Sequence, residues 1–143
     1  MKVLVTGAGG FLGGHVVRAL RARGDAVLGL DLAFPAGLAA GAEAVTGSVL
    51  DREVLARAIA RCDAVIHAAA ITGLWARDPG DFERVNLGGT RAVLDAAREA
   101  GIGRVVHVSS YVTLIAGGRD APPVVADETR ELLPGAMLGP YPR

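Results

Sequence analysis

The chain begins with a short apolar run, a glycine-rich turn and an amphipathic stretch. Residues 3–5 are the kind of apolar run that a strand buried on both faces requires. The small residues at positions 7–10 let the backbone turn sharply and approach a ligand closely. Residues 11–23 predict a helix, whose first N–H groups and positive dipole end suit a bound pyrophosphate. We therefore predict that this strand, turn and helix hold a dinucleotide.

The spacing of the glycines narrows the type of turn. The pattern G-x-G-x-x-G, started at Gly7 and Gly9, would need its third glycine where the chain has Leu12. The spacing that holds is Thr6-Gly-x-x-Gly10-x-x-Gly13. Because 20 of the 143 residues are glycine, this motif is a weak indication by itself. No Gly-Lys-Ser/Thr follows the glycines, which excludes the phosphate loop of P-loop NTPases.

An acidic residue follows the second apolar run. Residues 26–30 predict a strand that ends at Asp31, near the position where a carboxylate accepts hydrogen bonds from an adenosine ribose. The alternative is an ordinary turn followed by a solvated Asp. A carboxylate here repels a 2′-phosphate, and neither the turn nor residues 32–36 supply an Arg to neutralise one. We therefore predict NAD as the cofactor in preference to NADP.

Composition limits the class of protein. The 143 residues are 51% hydrophobic and 21% charged, with no linker-like stretch, which predicts one globular domain over residues 1–143. The formal net charge is zero, so we expect neither a nucleic-acid nor a membrane partner. No signal segment or long apolar stretch is evident, which favours a cytoplasmic protein. Cys62 is expected to be a small buried hydrophobe, and no metal site is predicted.

Strands and helices alternate along the rest of the chain. The pattern predicts a parallel sheet of order 3-2-1-4-5 with helices on both faces, and ligands at the carboxyl ends of the strands near the switch between strands 1 and 4. Beyond Ser110 the periodicity is lost. The predicted strands are 3–5, 26–30, 44–47, 63–67 and 104–108, and the predicted helices are 11–23, 48–60 and 81–100.

Four ordered motifs resemble those of an extended short-chain dehydrogenase/reductase of the NAD-dependent epimerase/dehydratase family. They are the glycine motif Thr6-Gly-x-x-Gly-x-x-Gly13, then His67-Ala-Ala-Ala70, Val85-Asn-Leu-Gly-Gly-Thr90 and Val108-Ser-Ser110. Residues 74–79 and 139–143 most resemble the dihydroflavonol-reductase-like branch, in particular the hopanoid-associated sugar epimerases. The resemblance implies a doubly wound α/β domain of the Rossmann type, cut off before a sixth strand and a substrate lobe.

The resemblance also implies a role for each matching position. Asn86 would tie the long helix to strand four or to a cofactor water, or its bond would be purely structural. Position 48 is usually Asp in this family, and Ser48 would bond the adenine amino group more weakly. The implied cofactor contacts are Gly7, Gly10, Phe11, Leu12 and Gly13 at the pyrophosphate, Asp31 at the ribose, Ser48 and Val49 at the adenine, and Ala68, Ala69, Ala70 and Thr72 under the cofactor.

Other polar and aromatic positions have a structural interpretation beside a functional one. His67 is expected to be a packed, hydrogen-bonded residue at the end of a strand rather than a catalyst, and the same holds for His15 and His107. Trp75 lines a substrate pocket or caps the core.

The catalytic residues that the resemblance implies are a Ser after strand five and the Tyr of a Tyr-x-x-x-Lys motif. Ser110 matches the first position, with Ser109 as its neighbour, and Tyr141 matches the second. A free phenol has a pKa of about 10, so roughly one in a thousand would be phenolate near pH 7, and a nearby ammonium is needed. That Lys would stand at position 145, whereas the sequence ends at Arg143.

Two hypotheses follow. In the first, the chain is the N-terminal portion of an oxidoreductase, epimerase or dehydratase that transfers hydride at a hydroxyl or carbonyl of a small substrate such as a nucleotide sugar. Alone it would bind NAD and turn over slowly or not at all. In the second, it is an inactive dinucleotide-binding or regulatory module. A third class, a methyltransferase that uses S-adenosylmethionine, would explain neither Ser110 nor Tyr141. The unpaired edge of strand five predicts association into a homodimer.

Overall fold

The fold is a five-stranded parallel sheet with helices on both faces. A computed structural model of the chain describes residues 1–34, 38–39, 41–73, 78–114, 125–127, 129, 132–137 and 141. The strand order is β3-β2-β1-β4-β5, so the predicted Rossmann-type topology is confirmed. The strands are β1 (Lys2–Thr6), β2 (Ala26–Asp31), β3 (Glu43–Thr46), β4 (Ala64–His67) and β5 (Val105–His107), and the helices are α1 (Phe11–Ala22), α2 (Arg52–Ile59) and α3 (Gly89–Glu99), which a π-helix (Phe82–Gly88) precedes.

The two faces of the sheet bury separate apolar clusters because side chains alternate along each strand. In β1, Val3 and Val5 pack against α1, whereas Leu4 packs against α2 and α3. The α1 cluster also contains Val17 from the helix itself. Since both faces of β1 are covered, the strand reads as a continuous apolar run, as the sequence predicted.

Helix α2 is shorter than the predicted span of 48–60. The Asp51 carboxylate accepts hydrogen bonds from the backbone N–H groups of Glu53 and Val54, at 3.0 and 3.1 Å. A side chain that accepts bonds from these otherwise unpaired N–H groups marks the N-terminus of a helix. The helix therefore begins after Asp51, and residues 48–51 form a turn. The prediction was wrong for this first turn because it followed apolar periodicity and overlooked the capping residue.

The helix predicted at 81–100 is present but is not uniform. Its first part is a seven-residue π-helix, Phe82–Gly88, and only Gly89–Glu99 is α-helical. Hydrophobic periodicity cannot distinguish the two forms, because one wider turn displaces the following side chains without interrupting the pattern.

The two outer strands are exposed. Within the described residues β5 pairs with β4 alone, and Val106 at its centre is 54% exposed. Association into a homodimer through this edge stays a prediction. Cys62 is a buried free thiol, as expected. No helix in the described part of the chain has the length and apolar character needed to cross a membrane.

Candidate dinucleotide site

The glycine turn is closed by backbone contacts that leave no room for side chains. Gly7 has a φ of +71°, a conformation that favours glycine. A Cβ added to Gly13 would lie 2.0 Å from the carbonyl oxygen of Gly7, and one added to Gly9 would lie 2.1 Å from that of Ala33. Glycine is therefore required at Gly7, Gly9 and Gly13, because one backbone segment approaches another too closely there for a Cβ atom.

The beginning of α1 is open to an anion. Gly10 is the N-cap residue, and it makes no side-chain capping bond. The first turn holds no acidic residue, so nothing in the helix itself offsets the positive end of its dipole. Phe11 and Leu12, which begin the helix, are 86% and 49% exposed. These features fit a pyrophosphate, which unpaired amides at a helix start bind well.

Asp31 lies at the carboxyl end of β2, beside the turn. Its Oδ2 accepts the Gly9 N–H at 2.9 Å and its Oδ1 accepts the Leu32 N–H at 2.7 Å. An ionised carboxylate has about four acceptor positions, so two remain for ribose hydroxyls. The carboxylate therefore braces the turn and can still bind a ligand.

One cleft of about 1430 Å³ is lined by every residue for which the resemblance implied a cofactor or catalytic role. It runs along the carboxyl ends of the strands from Asp31 to the segment after β5. The predicted residues that line it are Gly7, Gly10, Phe11, Leu12, Gly13, Asp31, Ser48, Val49, Ala68, Ala69, Ala70, Thr72, Asn86, Ser110 and Tyr141. Trp75 lies outside the described residues.

Two of these residues lie in the turn between β3 and α2. Val49 is buried, and its side chain approaches Gly89 so closely that a Cβ there would lie 2.8 Å from a Val49 methyl carbon. The Ser48 hydroxyl accepts the Leu50 N–H at 3.1 Å and keeps its own proton to donate. Ser48 can therefore contact a base as donor while its oxygen supports the turn.

Asn86 joins the π-helix to the segment after β4. Its Oδ1 accepts the Ile71 N–H at 2.8 Å, and its Nδ2 donates to the Ile71 carbonyl at 3.0 Å. This reciprocal pair holds the backbone of Ile71 as a neighbouring strand would. The expected bond to strand four itself is not what the structure shows, because Asn86 bonds Ile71 in the loop beyond the end of β4 at His67.

A chain of polar contacts lies below the cleft. Thr6 Oγ1 is 2.7 Å from His67 Nδ1, and His67 Nε2 is 3.0 Å from Thr90 Oγ1. Burial, and secondarily the nearby His107, lowers the pKa of His67 to about 4. His67 is therefore neutral near pH 7, and it is a packed, hydrogen-bonded residue at the end of β4, as the sequence predicted.

The residues for which catalysis was predicted lie at the other end of the cleft from Asp31. Ser110 follows β5 and is half-buried, with its carbonyl accepting the Thr113 hydroxyl at 2.7 Å. The Tyr141 ring lies edge-on to that of buried Phe82, with 6.1 Å between centroids. Ser110 and Tyr141 both line the same cleft.

Several residues that complete the site were given no individual role from the sequence, although Thr6 and Thr90 belong to its motifs. Phe82 supports Tyr141, Thr90 lines the cleft, and the Thr6 hydroxyl supports its floor. Thr90 follows Asn86 by four residues, a spacing that places both on one helix face. That spacing was the signal available for Thr90.

Comparison with known proteins agrees with this geometry. The NAD dependent epimerase/dehydratase family profile matches residues 3–143. The 4-hydroxy-2-methyl-3-oxo-4-farnesyl-3,4-dihydroquinoline-1-oxide ketoreductase of Stigmatella aurantiaca is 41% identical over 145 residues. The match covers 99% of this chain and 42% of that protein. A 2-alkyl-3-oxoalkanoate reductase from Stenotrophomonas maltophilia is 38% identical over 111 residues, covering 77% of this chain and 33% of that protein.

Solved structures show the same fold. A short-chain dehydrogenase/reductase superfamily protein from Agrobacterium tumefaciens with bound NAD has a TM-score of 0.81 at 38% identity, covering 99% of this chain and 41% of that one. The Thermus thermophilus UDP-glucose 4-epimerase in complex with NAD has a TM-score of 0.83 at 29% identity, covering 99% and 46%. The chain thus spans less than half the length of these relatives. With the family profile matching nearly every residue, the chain belongs to the NAD-dependent epimerase/dehydratase family.

Proposed function

We propose that the chain binds NAD along the cleft, with the adenosine at Asp31 and the nicotinamide toward Ser110. The observation that carries the proposal is the combination, at one end of the cleft, of an uncapped helix start and a carboxylate at the end of β2. The glycines fit a pyrophosphate because their backbone is already closed on itself and presents N–H groups without side chains. The relatives solved with bound NAD support this assignment.

Asp31 is proposed to select NAD over NADP. Its carboxylate lies in the cleft, where a 2′-phosphate would meet a like charge. Leu32 and Ala33, which follow it in the cleft wall, offer no cation. In isothermal titration we expect NAD to bind at least about tenfold more tightly than NADP, since repulsion of one charge costs on that order.

The matched variants are Asp31→Asn and Asp95→Asn. Asp31→Asn removes the charge and keeps one acceptor oxygen for Gly9, so we expect NAD to bind about tenfold more weakly and the preference over NADP to shrink. Asp95 is exposed on α3 and paired only with Arg98 at 3.6 Å, so its substitution should change neither affinity. Equal affinity of the wild-type chain for NAD and NADP would contradict the assignment.

We further propose that the protein uses bound NAD for hydride transfer at a substrate hydroxyl or carbonyl, which the reductase and epimerase relatives support. NAD supplies the hydride acceptor, or in reduced form the donor. Ser110 and Tyr141 both line the cleft, which supports a role for the Ser110 hydroxyl in holding the substrate oxygen and for the Tyr141 phenol in exchanging a proton with it. Phe82 fixes the Tyr141 ring by edge-to-face contact.

The substrate is proposed to be a small molecule, either a nucleotide sugar or an apolar ketone or alcohol. Relatives include a UDP-glucose 4-epimerase and ketone reductases, so both classes belong in the assay. Interconversion of UDP-sugars and NADH oxidation with 3-oxo substrates distinguish them. In a form of the protein that includes the residues after Arg143 and shows turnover, Ser110→Ala and Tyr141→Phe should leave NAD affinity within about twofold and lower turnover by two orders of magnitude or more. Turnover undiminished in both variants would contradict their roles.

The second candidate is an NAD-binding module without catalysis. Absence of turnover by residues 1–143 alone fits both candidates, so the reading frame after Arg143 distinguishes them. A continuation with Lys as its second residue supports hydride transfer, whereas a natural protein that binds NAD and shows no turnover with either substrate class favours the binding module. Supplying the Tyr-x-x-x-Lys pattern with Lys at position 145 separates the two further. If the Lys restores turnover, the family's hydride-transfer chemistry is supported, and if it has no effect, the binding module is favoured.

A further inference from the structure

His67 connects three elements beneath the cleft through both of its ring nitrogens. Nδ1 faces Thr6 of β1 and Nε2 faces Thr90 of α3, while the residue itself ends β4. The Thr6 hydroxyl oxygen also accepts the N–H groups of Ala68 and Ala69, both at 3.2 Å. The Ala68 N–H is shared with the Thr6 carbonyl, also at 3.2 Å. The imidazole is thus linked through one hydroxyl to the floor of the cleft.

The donor and acceptor roles in this network follow from counting. A hydroxyl has one proton and two acceptor positions, and both acceptor positions of Thr6 are occupied by the two amides. Thr6 must therefore donate its proton to His67 Nδ1, which leaves the ring proton on Nε2. The Nε2–H in turn donates to Thr90 Oγ1. A neutral imidazole in the opposite tautomer would lose the contact with Thr6, because its Nδ1–H would face an oxygen with no free acceptor position, whereas Thr90 could still donate to Nε2.

The surroundings of the ring oppose a charged form. His67 is 1% exposed, and the His107 ring stacks on it with 5.4 Å between centroids. No carboxylate is hydrogen-bonded to either ring nitrogen in the described part of the chain. Protonation at Nδ1 would face a hydroxyl oxygen that has no acceptor position left.

We propose that His67 is a positioning residue of the cofactor site, which as a neutral Nε2–H imidazole joins β1, β4 and α3 and, through Thr6, fixes the Ala68 and Ala69 amides at the cleft floor. The link from this network to cofactor affinity rests on the proposed function. The tautomer of His67 and the protection of the Ala68 and Ala69 amides from hydrogen exchange do not depend on it. Ala68 and Ala69 line the cleft, so their positions set the surface that the cofactor meets.

The first test determines the tautomer of His67 directly. Nitrogen-15 correlation spectra of the ring, recorded near pH 7 on the labelled chain without NAD, should show His67 protonated at Nε2 and unprotonated at Nδ1. Thr6→Val removes the hydroxyl that donates to Nδ1 and should shift the Nδ1 resonance, whereas Thr6→Ser should retain the wild-type pattern. A wild-type ring protonated at Nδ1, or an Nδ1 resonance unmoved by Thr6→Val, would overturn the proposal.

The second test measures how well the Ala68 and Ala69 amides at the cleft floor are held. Thr6→Val is nearly isosteric and removes the hydroxyl, so hydrogen exchange at the Ala68 and Ala69 amides should accelerate at least tenfold. NAD should bind about tenfold more weakly, and Thr6→Ser should restore both values to within about threefold of wild type. Circular dichroism and melting curves identify the conditions under which each variant remains folded. If Thr6→Val does not fold, Thr90→Val, which breaks the network at its other end, carries the comparison.

The two failures are distinguishable. A wild-type chain that does not bind NAD refutes the proposed function, while the tautomer and the exchange rates still decide whether His67 orders this floor. A chain that binds NAD equally well as wild type, Thr6→Val and Thr90→Val refutes the positioning role alone. Purely structural packing would change the melting temperature of the variants without moving the Nδ1 resonance or the NAD affinity.

Discussion

The pH dependence of stability follows from the burial of neutral His67. Its pKa is about 4 in the folded chain, against an ordinary value of 6.5, chiefly because burial disfavours the charged form. At pH values between these two pKa values, the His67 ring is protonated in the unfolded chain and neutral in the folded chain. Stability is therefore greatest above pH 6.5 and is lost as the pH falls toward 4, at up to about 1.4 kcal/mol per pH unit.

The expected magnitude follows from the two pKa values. Linkage of one group with these values lowers the free energy of unfolding by about 2 kcal/mol between pH 7 and pH 5. Neighbouring cations also hold the pKa of Asp25 and of Glu43 below the usual range, but those contributions are lost only when the carboxylates begin to protonate, near pH 4 and below. The interval from pH 5 to pH 6.5 therefore reports mainly on His67.

Urea denaturation followed by circular dichroism, repeated at intervals of half a pH unit, measures this slope. His67→Gln removes the titrating ring and should flatten the profile in that interval, whatever its effect on absolute stability. His15→Gln is the matched control, because His15 is exposed on α1, and it should keep the wild-type slope. A wild-type loss below about 0.5 kcal/mol, or an unchanged slope in His67→Gln, would refute the reasoning.

Four further substitutions test the fold and the turn. Gly13→Ala places a Cβ 2.0 Å from the Gly7 carbonyl and should weaken NAD binding at least about tenfold, whereas Gly14→Ala, with no atom nearer than 3.7 Å, should raise stability by about 0.5–1 kcal/mol; titration and melting curves check both. Leu55→Ala, at a fully buried position, should cost about 2–5 kcal/mol in urea denaturation. Asp51→Ala removes the cap of α2 and should cost about 1 kcal/mol by the same measurement.

Sequence patterns predicted the elements that are long or fully buried. The apolar runs of β1 and β2 are covered on both faces, so their sequences carried a strong signal. The bounds of α2 and the π-helical turn before α3 were not predicted, because one depends on the capping bond of Asp51 and the other on how Asn86 reaches the loop after β4. Those interactions involve particular side-chain geometries, which periodicity does not record.

The same division holds for the site. The sequence by itself determined the glycine turn, the acidic end of β2 and the strand order, because these depend on backbone sterics and on apolar runs that are local in the chain. Only the tertiary structure decided that the Thr6 hydroxyl, which is 61 residues from His67, directs the ring proton toward Thr90. Parallel strand pairing places Thr6 beside His67. Because both residues are buried, each of their donors and acceptors needs a hydrogen-bond partner. The tautomer therefore follows from contacts between three distant segments, which no single stretch of sequence contains.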